Sequence, residues 1–200
     1  MRSKSFLAAV FVAVLALPAI AQNPPARVRG TVEKLDDHTL TVKSRDGQQV
    51  TVTLAPNVAV AYLVKENLGD IKAGDFVAST SMKGTDGKNH SVELRIFPEA
   101  MRGLGEGQYA WDLAPESLMT NATVSGVTGA PQGQTLKVTY KGGESELVVG
   151  PDTPILGYGS GDMSLLKPGA AVFIVAQKQP DGSLTAARVT AEKDGVKPPM

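Results

Sequence analysis

Apolar and polar residues alternate over short stretches along most of the chain, and this period of two predicts β-strands. The clearest examples are Val28-x-Gly30-x-Val32, Leu40-x-Val42, Val50-x-Val52-x-Leu54 and Val92-x-Leu94-x-Ile96. Turn signals separate these stretches, among them the hairpin dipeptides Asp46-Gly47 and Asp86-Gly87. The pattern indicates an all-β protein built from short strands and tight turns.

The same series of strands and turns occurs twice, about 95 positions apart. The matched positions are Leu40/Leu136, Val42/Val138, Gly47/Gly142, Val52/Leu147, Leu54/Val149, Pro56/Pro151, Ile71/Leu166, Gly74/Gly169, Val77/Val172, Asp86/Asp181 and Gly87/Gly182. The spacing slips by one residue near Leu40, and the start of the second copy, residues 123–127, has no unique alignment. One shared turn arises easily by chance, whereas a whole series at constant spacing does not. We therefore predict an internal duplication.

Each copy has about six predicted strands, and a small closed barrel buries one face of each strand while leaving no open edge. We predict one barrel at residues 27–97 and another at residues 121–191, with a linker at residues 98–120 and a flexible tail at residues 192–200. A single helical turn is expected before the fifth strand of each copy, and Asp162 is placed to cap the second of these turns.

The N-terminus has the layout of a secretory signal peptide. Arg2 and Lys4 precede an uncharged apolar run from Phe6 to Ile20, and Ala19-Ile20-Ala21 is a small-x-small cleavage site. The run is shorter than the roughly 20 residues of a spanning helix. The chain has no Cys to carry a lipid. We therefore expect cleavage of residues 1–21 and a periplasmic protein with no membrane span after cleavage.

Charge and composition narrow the classes of partner. After cleavage the chain keeps 18 basic and 20 acidic residues, a balance without the basic excess that favours nucleic-acid binding. The absence of Cys removes disulfides and thiolate chemistry. Stability must therefore come from apolar cores and strand pairing.

The segment between the copies fits neither of them. It contains the one Trp of the chain, Trp111, together with Tyr109 and glycines at the alternate positions Gly103, Gly105 and Gly107. The glycines do not follow a strand within a βαβ pattern, and the Lys-Ser/Thr of a phosphate-binding loop does not come after them. Close approach or a turn of the linker accounts for them better.

These motifs resemble an uncharacterised family of exported bacterial proteins with OB-like β-barrel domains. The segments Arg102-Gly103-x-Gly105-Glu106-Gly107 and Trp111-Asp112-Leu113 are similar to a two-copy proteobacterial branch of that family. The resemblance implies an all-β fold of two tandem small OB-like β-barrels joined by an irregular linker, and export. It implies no reaction. A metal-transport label that some members carry does not fit a chain without several spanning helices.

The candidate contact residues all lie in the linker: Arg102, Glu106, Tyr109, Trp111 and Asp112. A Trp in a polar linker is rarely left in water, because its burial contributes on the order of 2–3 kcal/mol. Trp111 either packs between the barrels as a clasp or forms a ligand platform with Tyr109. We favour the clasp, because most buried aromatic residues are structural.

Other candidate chemistry is sparse. His38 and His90 cannot fill a tetrahedral zinc site without further ligands. The four scattered residues Met82, Met101, Met119 and Met163 lack the close spacing of a copper(I) site, and Ser145 and Ser160 lack a partner His. Glu106, Asp112 and Glu116 could supply paired carboxylates, which a solvated linker explains equally well. We assign no catalytic residue, no metal ligand and no cofactor.

The sequence is consistent with three functions from different classes. The leading prediction is a non-enzymatic binding or interaction protein of the envelope, with a protein or glycan partner. The alternatives are a periplasmic metal-handling accessory protein and a hydrolase that acts through the linker carboxylates. Oligomeric state is left open.

Overall fold

The computed structural model describes residues 25–130 and 133–199, so the predicted signal peptide at residues 1–21 lies outside the described residues. The described residues form twelve strands and three single 3-10 turns, with no longer helix. The strands are β1 (Ala26–Asp36), β2 (Thr39–Ser44), β3 (Gln49–Glu66), β4 (Phe76–Lys83), β5 (Asn89–Ile96), β6 (Gly107–Ala110), β7 (Leu118–Ala130), β8 (Gly133–Tyr140), β9 (Gly143–Val149), β10 (Ile155–Gly161), β11 (Ala171–Lys178) and β12 (Leu184–Ala191). The all-β prediction is confirmed.

Five of the strands close into a barrel. Their order is β12-β11-β1-β2-β3, and a parallel ladder between β3 and β12 closes the ring, with Thr53 opposite Thr185 and Val60 opposite Val189. The interior is apolar. Its fully buried side chains include Val32, Leu40, Val42, Val52, Leu54, Val172, Ile174 and Val189. Burial of this set is the main stabilising contribution in the barrel.

Five other strands form what we call the second strand group, in the order β5-β4-β7-β8-β9. Its path returns to β5 through a two-residue parallel ladder, in which His90 lies opposite Val148. This group has its own core, which includes Val77, Leu94, Val124, Leu136, Val138, Leu147 and Val149. Strand β10 pairs with β3 on one side and with β5 on the other, and so joins the group to the barrel.

The prediction of two tandem barrels, one per copy, is not confirmed, because the two copies exchange strands. The barrel takes β1–β3 from the first copy and β11–β12 from the second. The second strand group takes β4–β5 from the first copy and β7–β9 from the second. Each hydrophobic core therefore contains residues of both copies.

The exchange follows a pseudo-twofold symmetry. The pair His90–Val148 in the second strand group corresponds to the pair Thr185–Thr53 in the barrel, and each residue lies 95 positions from its counterpart. The first strands of the two copies align at a spacing of 92. Thr31 pairs with Ala171 in the barrel, and the equivalent pair in the second strand group is Thr123 with Phe76. The β-bulges of β1 and β7 follow the same spacing. The structure thus resolves the ambiguous start of the second copy.

The predicted turns lie where the dipeptides indicated. Gly47, Gly87, Gly142 and Gly182 all have positive φ, as the hairpin turns require. Single 3-10 turns at residues 68–70 and 163–165 precede the exchanged strands, and the Asp162 carboxylate caps the second turn by accepting from the Ser164 N–H at 2.8 Å. Hydrogen bonding to Ser164 lowers the pKa of Asp162.

Strand β3 is longer than predicted. Its 18 residues run through Pro56-Asn57, where the alternation predicted an end. Its antiparallel partners change there from β2, which covers residues 49–53, to β10, which covers residues 60–66. Pro56 therefore lies between the two antiparallel ladders, and the pairing with β12 is also irregular there.

The C-terminal segment, predicted as a flexible tail, contacts the barrel. Lys193 pairs with Val196 in an isolated bridge, and the Lys193 ammonium lies 3.9 Å from the ring centroid of Tyr62. The carbonyl oxygen of Pro199 accepts a hydrogen bond from Arg29 Nε at 3.3 Å. Within the described ranges, no helix is long and apolar enough to cross a bilayer.

Candidate functional site: an arginine cleft beside Trp111

The linker contacts both halves of the molecule. Its strand β6 pairs with β7, with Tyr109 opposite Met119 and Gly107 opposite Asn121. The chain then reaches the barrel at Trp111, whose ring contacts Phe173 of β11. The Trp111 backbone N–H donates to the carbonyl oxygen of Ser117, further along the linker, at 2.8 Å. This path places Trp111 between β6 and the barrel.

Trp111 is half-buried in a cluster of aromatic and arginine side chains. Its ring meets Tyr109 and Phe173 edge-on, with centroid distances of 6.0 and 6.2 Å. The Cζ atoms of Arg27 and Arg29 lie 4.1 and 5.2 Å from the Trp111 centroid. Edge-on aromatic pairs and cation–π contacts each contribute about 1 kcal/mol beyond area burial. Trp111 therefore has the position of a clasp and, through Arg27, also borders a charged surface.

Asp112 contacts three arginine side chains. Its Oδ2 accepts from Arg29 Nη1 at 2.6 Å, and its carbonyl oxygen accepts from Arg45 Nη2 at 2.9 Å. Arg27 Nη1 lies 3.6 Å from Oδ1, which is an ion pair beyond hydrogen-bond distance. The carboxylate is thus shared by Arg29 and Arg27, and Asp112 as a whole satisfies only part of the donor capacity of the three guanidinium groups.

Arg29 is the buried member of this group, with 4% of its surface exposed. Its guanidinium also lies 4.5 Å from the Phe173 ring centroid. Burial lowers the pKa of Arg29, and the hydrogen bond and charge of Asp112 oppose that shift. Arg29 stays charged because the ordinary pKa of a guanidinium group lies far above the physiological range. The paired carboxylate therefore offsets much of the cost of burying this charge.

A cleft of about 250 Å³ opens beside these residues, and we call it the arginine cleft. Its lining residues are Arg27, Val28, Arg29, Ser44, Arg45, Asp46, Gln48, Val50 and Asp112. Three guanidinium groups face two carboxylates, so the lining carries a net positive charge. Such a surface attracts carboxylate or phosphate groups, which arginine binds through paired hydrogen bonds.

A second cleft of about 280 Å³ has the opposite character. Its lining residues are Glu66, Asp70, Lys72, Asp75, Ile96, Phe97, Pro98, Gly157 and Tyr158. The rings of Phe97 and Tyr158 stack at 5.2 Å, with an interplanar angle of 10°. The aromatic rings contact each other, and the acidic groups Asp70 and Asp75 bond to backbone N–H groups of their own turns.

Of the five predicted contact residues, Asp112 lines the arginine cleft, and Trp111 and Tyr109 pack beside it with their rings in contact. Arg102 and Glu106 lie elsewhere, against the second strand group. Arg102 donates to both carboxylate oxygens of Glu99 at 2.6 and 2.7 Å and to the Gly74 carbonyl oxygen at 2.9 Å. Glu106 accepts from the backbone N–H of Lys141 at 3.0 Å. These two residues hold the linker against the second strand group.

The linker glycines take conformations that other residues rarely adopt. Gly103, Gly105 and Gly107 have φ values of 80°, 61° and 136°. A side chain at Gly105 would place its Cβ 2.9 Å from Asn121 Nδ2, which donates to the Leu104 carbonyl oxygen. The glycine motif thus lets the linker turn and approach β7 closely.

Sequence reasoning missed Arg27, Arg29 and Arg45. A signal was present, because Arg27 and Arg29 flank Val28 in the first part of β1, where Val28 and Val32 face the core. Alternation therefore places both arginines on the same outer face. Nothing in the local pattern showed that Asp112, 83 positions from Arg29, would meet them.

A buried ion pair was also missed. Arg95 Nη2 donates to Glu93 Oε1 at 2.8 Å, and Thr80 Oγ1 donates to the same oxygen at 2.8 Å. Arg95 Nη1 donates to the Tyr158 hydroxyl at 3.3 Å. Both charged side chains are at least nine-tenths buried. This network connects β4 and β5 of the second strand group with β10.

The histidines and the serine Ser145, weighed above as metal-binding or catalytic residues, make local contacts. His90, in β5, pairs with Asp86 at 3.0 Å, and His38, on the turn between β1 and β2, lies 3.9 Å from Asp37. Across residues 25–130 and 133–199, no group of three or more His, Asp or Glu side chains is arranged to hold a metal ion. Ser145 accepts hydrogen bonds from Asn89 and Gln108, so its contacts are amides rather than a general base.

One comparison with known proteins gives a match. Residues 121–190 match the model of a domain of unknown function, DUF5666. No curated protein and no solved structure matches the chain. The matched stretch begins in β7 and ends in β12, so it contributes strands to both the second strand group and the barrel.

Proposed function

We propose that this chain is a non-enzymatic binding protein of the bacterial periplasm that holds an anionic partner in the arginine cleft. The observation that supports it is the convergence of three guanidinium groups on one residue, Asp112. Arg29 and Arg27 approach its carboxylate and also lie against Trp111, and Arg45 donates to its backbone carbonyl oxygen. On this proposal the second strand group is a second small OB-like barrel. The two barrels then form one rigid support for the cleft.

The composition of the cleft favours binding over catalysis. Arginine keeps its proton throughout the physiological range, so it stabilises negative charge but does not act as a general acid or base near neutral pH. Ser44, the hydroxyl in the lining, already accepts from the backbone N–H of Gln48 at 3.2 Å. The lining therefore supplies charge and shape.

Trp111 provides the readout for a test. Its ring lies 4.1 Å from the Arg27 guanidinium, so an anion bound to Arg27 should change its fluorescence. We expect polyglutamate to produce a saturable change that weakens as salt is raised from about 50 to 300 mM, and polylysine to produce none. Arg27→Gln and Arg45→Gln should each weaken the response at least fivefold.

Arg188→Gln is the matched control. Arg188 is an exposed residue of β12 outside the cleft lining, and its substitution removes the same charge. It should leave the titration unchanged. A response to polyglutamate that Arg188→Gln reduces as much as Arg45→Gln would show non-specific attraction and would contradict a site in the cleft.

Export is tested separately. The proposal places cleavage after Ala21, because Ala19 and Ala21 are the small residues that the peptidase site needs. The intact mass of protein recovered from periplasm should correspond to residues 22–200. Recovery of the uncleaved chain in the membrane fraction would contradict the proposed location.

A further inference from the structure

Strand β6 shows how an extended segment binds to the edge of β7. It pairs with Leu118–Asn121. Its flanks are held by the β8–β9 hairpin, where Lys141 N–H donates to Glu106 Oε1 at 3.0 Å and Gln108 Nε2 donates to Ser145 Oγ at 3.3 Å. We call this arrangement the β6 seat. It consists of a strand edge and an adjacent hairpin.

The pseudo-twofold symmetry places the counterpart of the β6 seat in the arginine cleft. At the spacing of 92, residues 118–121 of β7 correspond to residues 26–29 of β1. At the spacings of 96 and 95 that hold for the next two strands, Lys141 corresponds to Arg45 and Ser145 to Val50. The cleft lining includes Arg27, Arg29, Arg45 and Val50. The cleft is therefore the same seat on the barrel, and in the described part of the chain no strand pairs there.

The edge of β1 at this seat is open to further pairing. Residues 26–29 pair with β11 on one side, whereas the β1–β2 ladder begins at Gly30 opposite Ser44. The Val32 N–H donates to the Ala170 carbonyl oxygen, on the β11 side, so the even-numbered residues of β1 up to its bulge direct their backbone groups there. Arg29 accepts from Arg45 N–H on the other side. By alternation, the N–H and C=O of Arg27 point into the cleft, beyond the end of the β1–β2 ladder.

We propose that the arginine cleft binds an extended acidic peptide segment of a partner protein, which adds a strand to β1 as β6 adds to β7. The inference rests on the proposed binding function and specifies its partner. Main-chain hydrogen bonds to an open strand edge supply affinity in this mode of recognition, and side-chain contacts supply specificity.

Charge determines which peptide fits. In the β6 seat an acidic side chain, Glu106, meets the hairpin at Lys141 N–H, and the corresponding hairpin residue of the barrel is Arg45. The Asp112 carboxylate holds Arg29 at 2.6 Å, whereas Arg27 lies 3.6 Å from it and Arg45 contacts only the Asp112 carbonyl oxygen. Arg27 and Arg45 therefore keep donors for carboxylates of an incoming strand.

Three synthetic decapeptides separate charge from strand addition. The first alternates Glu and Thr, the second has Gln in place of Glu, and the third has the first sequence with N-methyl groups on alternate amides. Titrated against the mature protein with Trp111 fluorescence as readout, the first should bind and the other two should bind at least tenfold more weakly. Amide hydrogen exchange should show protection of Arg27 by the first peptide alone.

Two variants test the same edge from the side of the protein. Arg27→Gln removes the charge and the contact with Trp111, and Arg27→Pro removes these and also the backbone N–H. Proline is tolerated on strand edges where its nitrogen needs no partner. Arg27→Pro should bind the Glu-Thr peptide at least fivefold more weakly than Arg27→Gln, with equal urea midpoints. If Arg27→Pro does not fold, the comparison of the first peptide with the N-methylated peptide still tests strand addition on the unmodified protein.

The outcomes distinguish this inference from the proposed function. Equal binding of the first and N-methylated peptides would overturn strand addition and leave an anion-binding cleft. If neither the Glu-Thr peptide nor polyglutamate binds, both proposals fail. A change of Trp111 emission on dilution of the protein alone, lost in Arg45→Gln, would overturn the assignment to a partner protein and identify a second copy of this chain.

Discussion

Leu63 and Tyr158 lie opposite each other in the ladder between β3 and β10, and they are equivalent residues of the two copies, 95 positions apart. A residue that pairs with its own counterpart lies on a twofold axis. The two copies in this one chain are therefore related like the two subunits of a strand-exchanged homodimer. Their contacts are self-complementary, as at an isologous interface. The β6 seat and the arginine cleft are related by this axis.

The ladder through this axis depends on glycine. A Cβ at Gly159 would lie 2.3 Å from Cζ of Tyr62, because the Tyr62 ring covers this part of β10. We expect Gly159→Ala to destabilise the protein by about 2 kcal/mol, since the ring or the strand must move. Gly150→Ala is the control, because its Cβ would meet Thr153 Oγ1 at 3.6 Å, an ordinary contact. Equal urea midpoints for the two variants would contradict the close packing of Tyr62.

The buried pair of Glu93 and Arg95 should be costly to break. Arg95→Met leaves the Glu93 carboxylate buried without its cation, and we expect a loss of about 3–5 kcal/mol. Glu93→Met with Arg95→Met removes both charges and should recover most of that loss. Lys34→Met, which breaks an exposed pair with Asp36, is the control and should have little effect on the melt. A double variant no more stable than Arg95→Met would show that the pair is not isolated from other charges.

Trp111 should contribute to stability as a clasp. Its ring is half-buried against Tyr109, Phe173, Arg27 and Arg29, so Trp111→Ala should cost about 2 kcal/mol through lost burial and lost ring contacts. Trp111→Phe keeps a ring there and should cost less than half as much. Chemical denaturation followed by circular dichroism measures both. An unchanged midpoint for Trp111→Ala would mean that its contacts serve ligand binding alone.

The strand exchange also predicts how an isolated copy behaves. A fragment of residues 121–195 contains most of β7 and all of β8–β12, but β7–β9 and β11–β12 belong to different cores. A monomer of this fragment would leave both cores incomplete, so it should show no cooperative melt at low micromolar concentration. Analytical ultracentrifugation with thermal circular dichroism tests this. A monomer that melts cooperatively would indicate that one copy can close on itself.

Much of the fold could be predicted from local signals. Alternation located most strands, and Asp-Gly dipeptides located hairpins such as Asp46-Gly47, because turn chemistry and strand period act over a few residues. Alternation does not determine which strand pairs with which. The turns at residues 68–70 and 163–165 are equivalent, and no local signal in them specifies whether the next strand joins the core of its own copy or the other core. The exchange of strands between the copies could therefore not be predicted from the alternation of apolar and polar residues.

Only part of the candidate site could be predicted, because local patterns do not show which distant residues meet. Trp111 was noticeable because a large aromatic residue in a polar linker needs a burial site. Its neighbours Arg27 and Phe173 lie 84 and 62 positions away, so only the folded chain brings them together. Arg102 and Glu106 share the linker with Trp111, yet their partners are Glu99 and Lys141, outside the cleft.

The two copies exchange halves, and the likeness between the β6 seat and the arginine cleft depends on this exchange. A protease site inserted between Gly103 and Leu104, two exposed linker residues, allows a test on the otherwise complete chain. After cleavage, native mass spectrometry and size exclusion at micromolar concentration should show one complex with one copy of each fragment. Its melting temperature should now rise with concentration, because unfolding has become dissociation. Fragments that separate in native buffer, each with its own cooperative melt, would contradict the exchange.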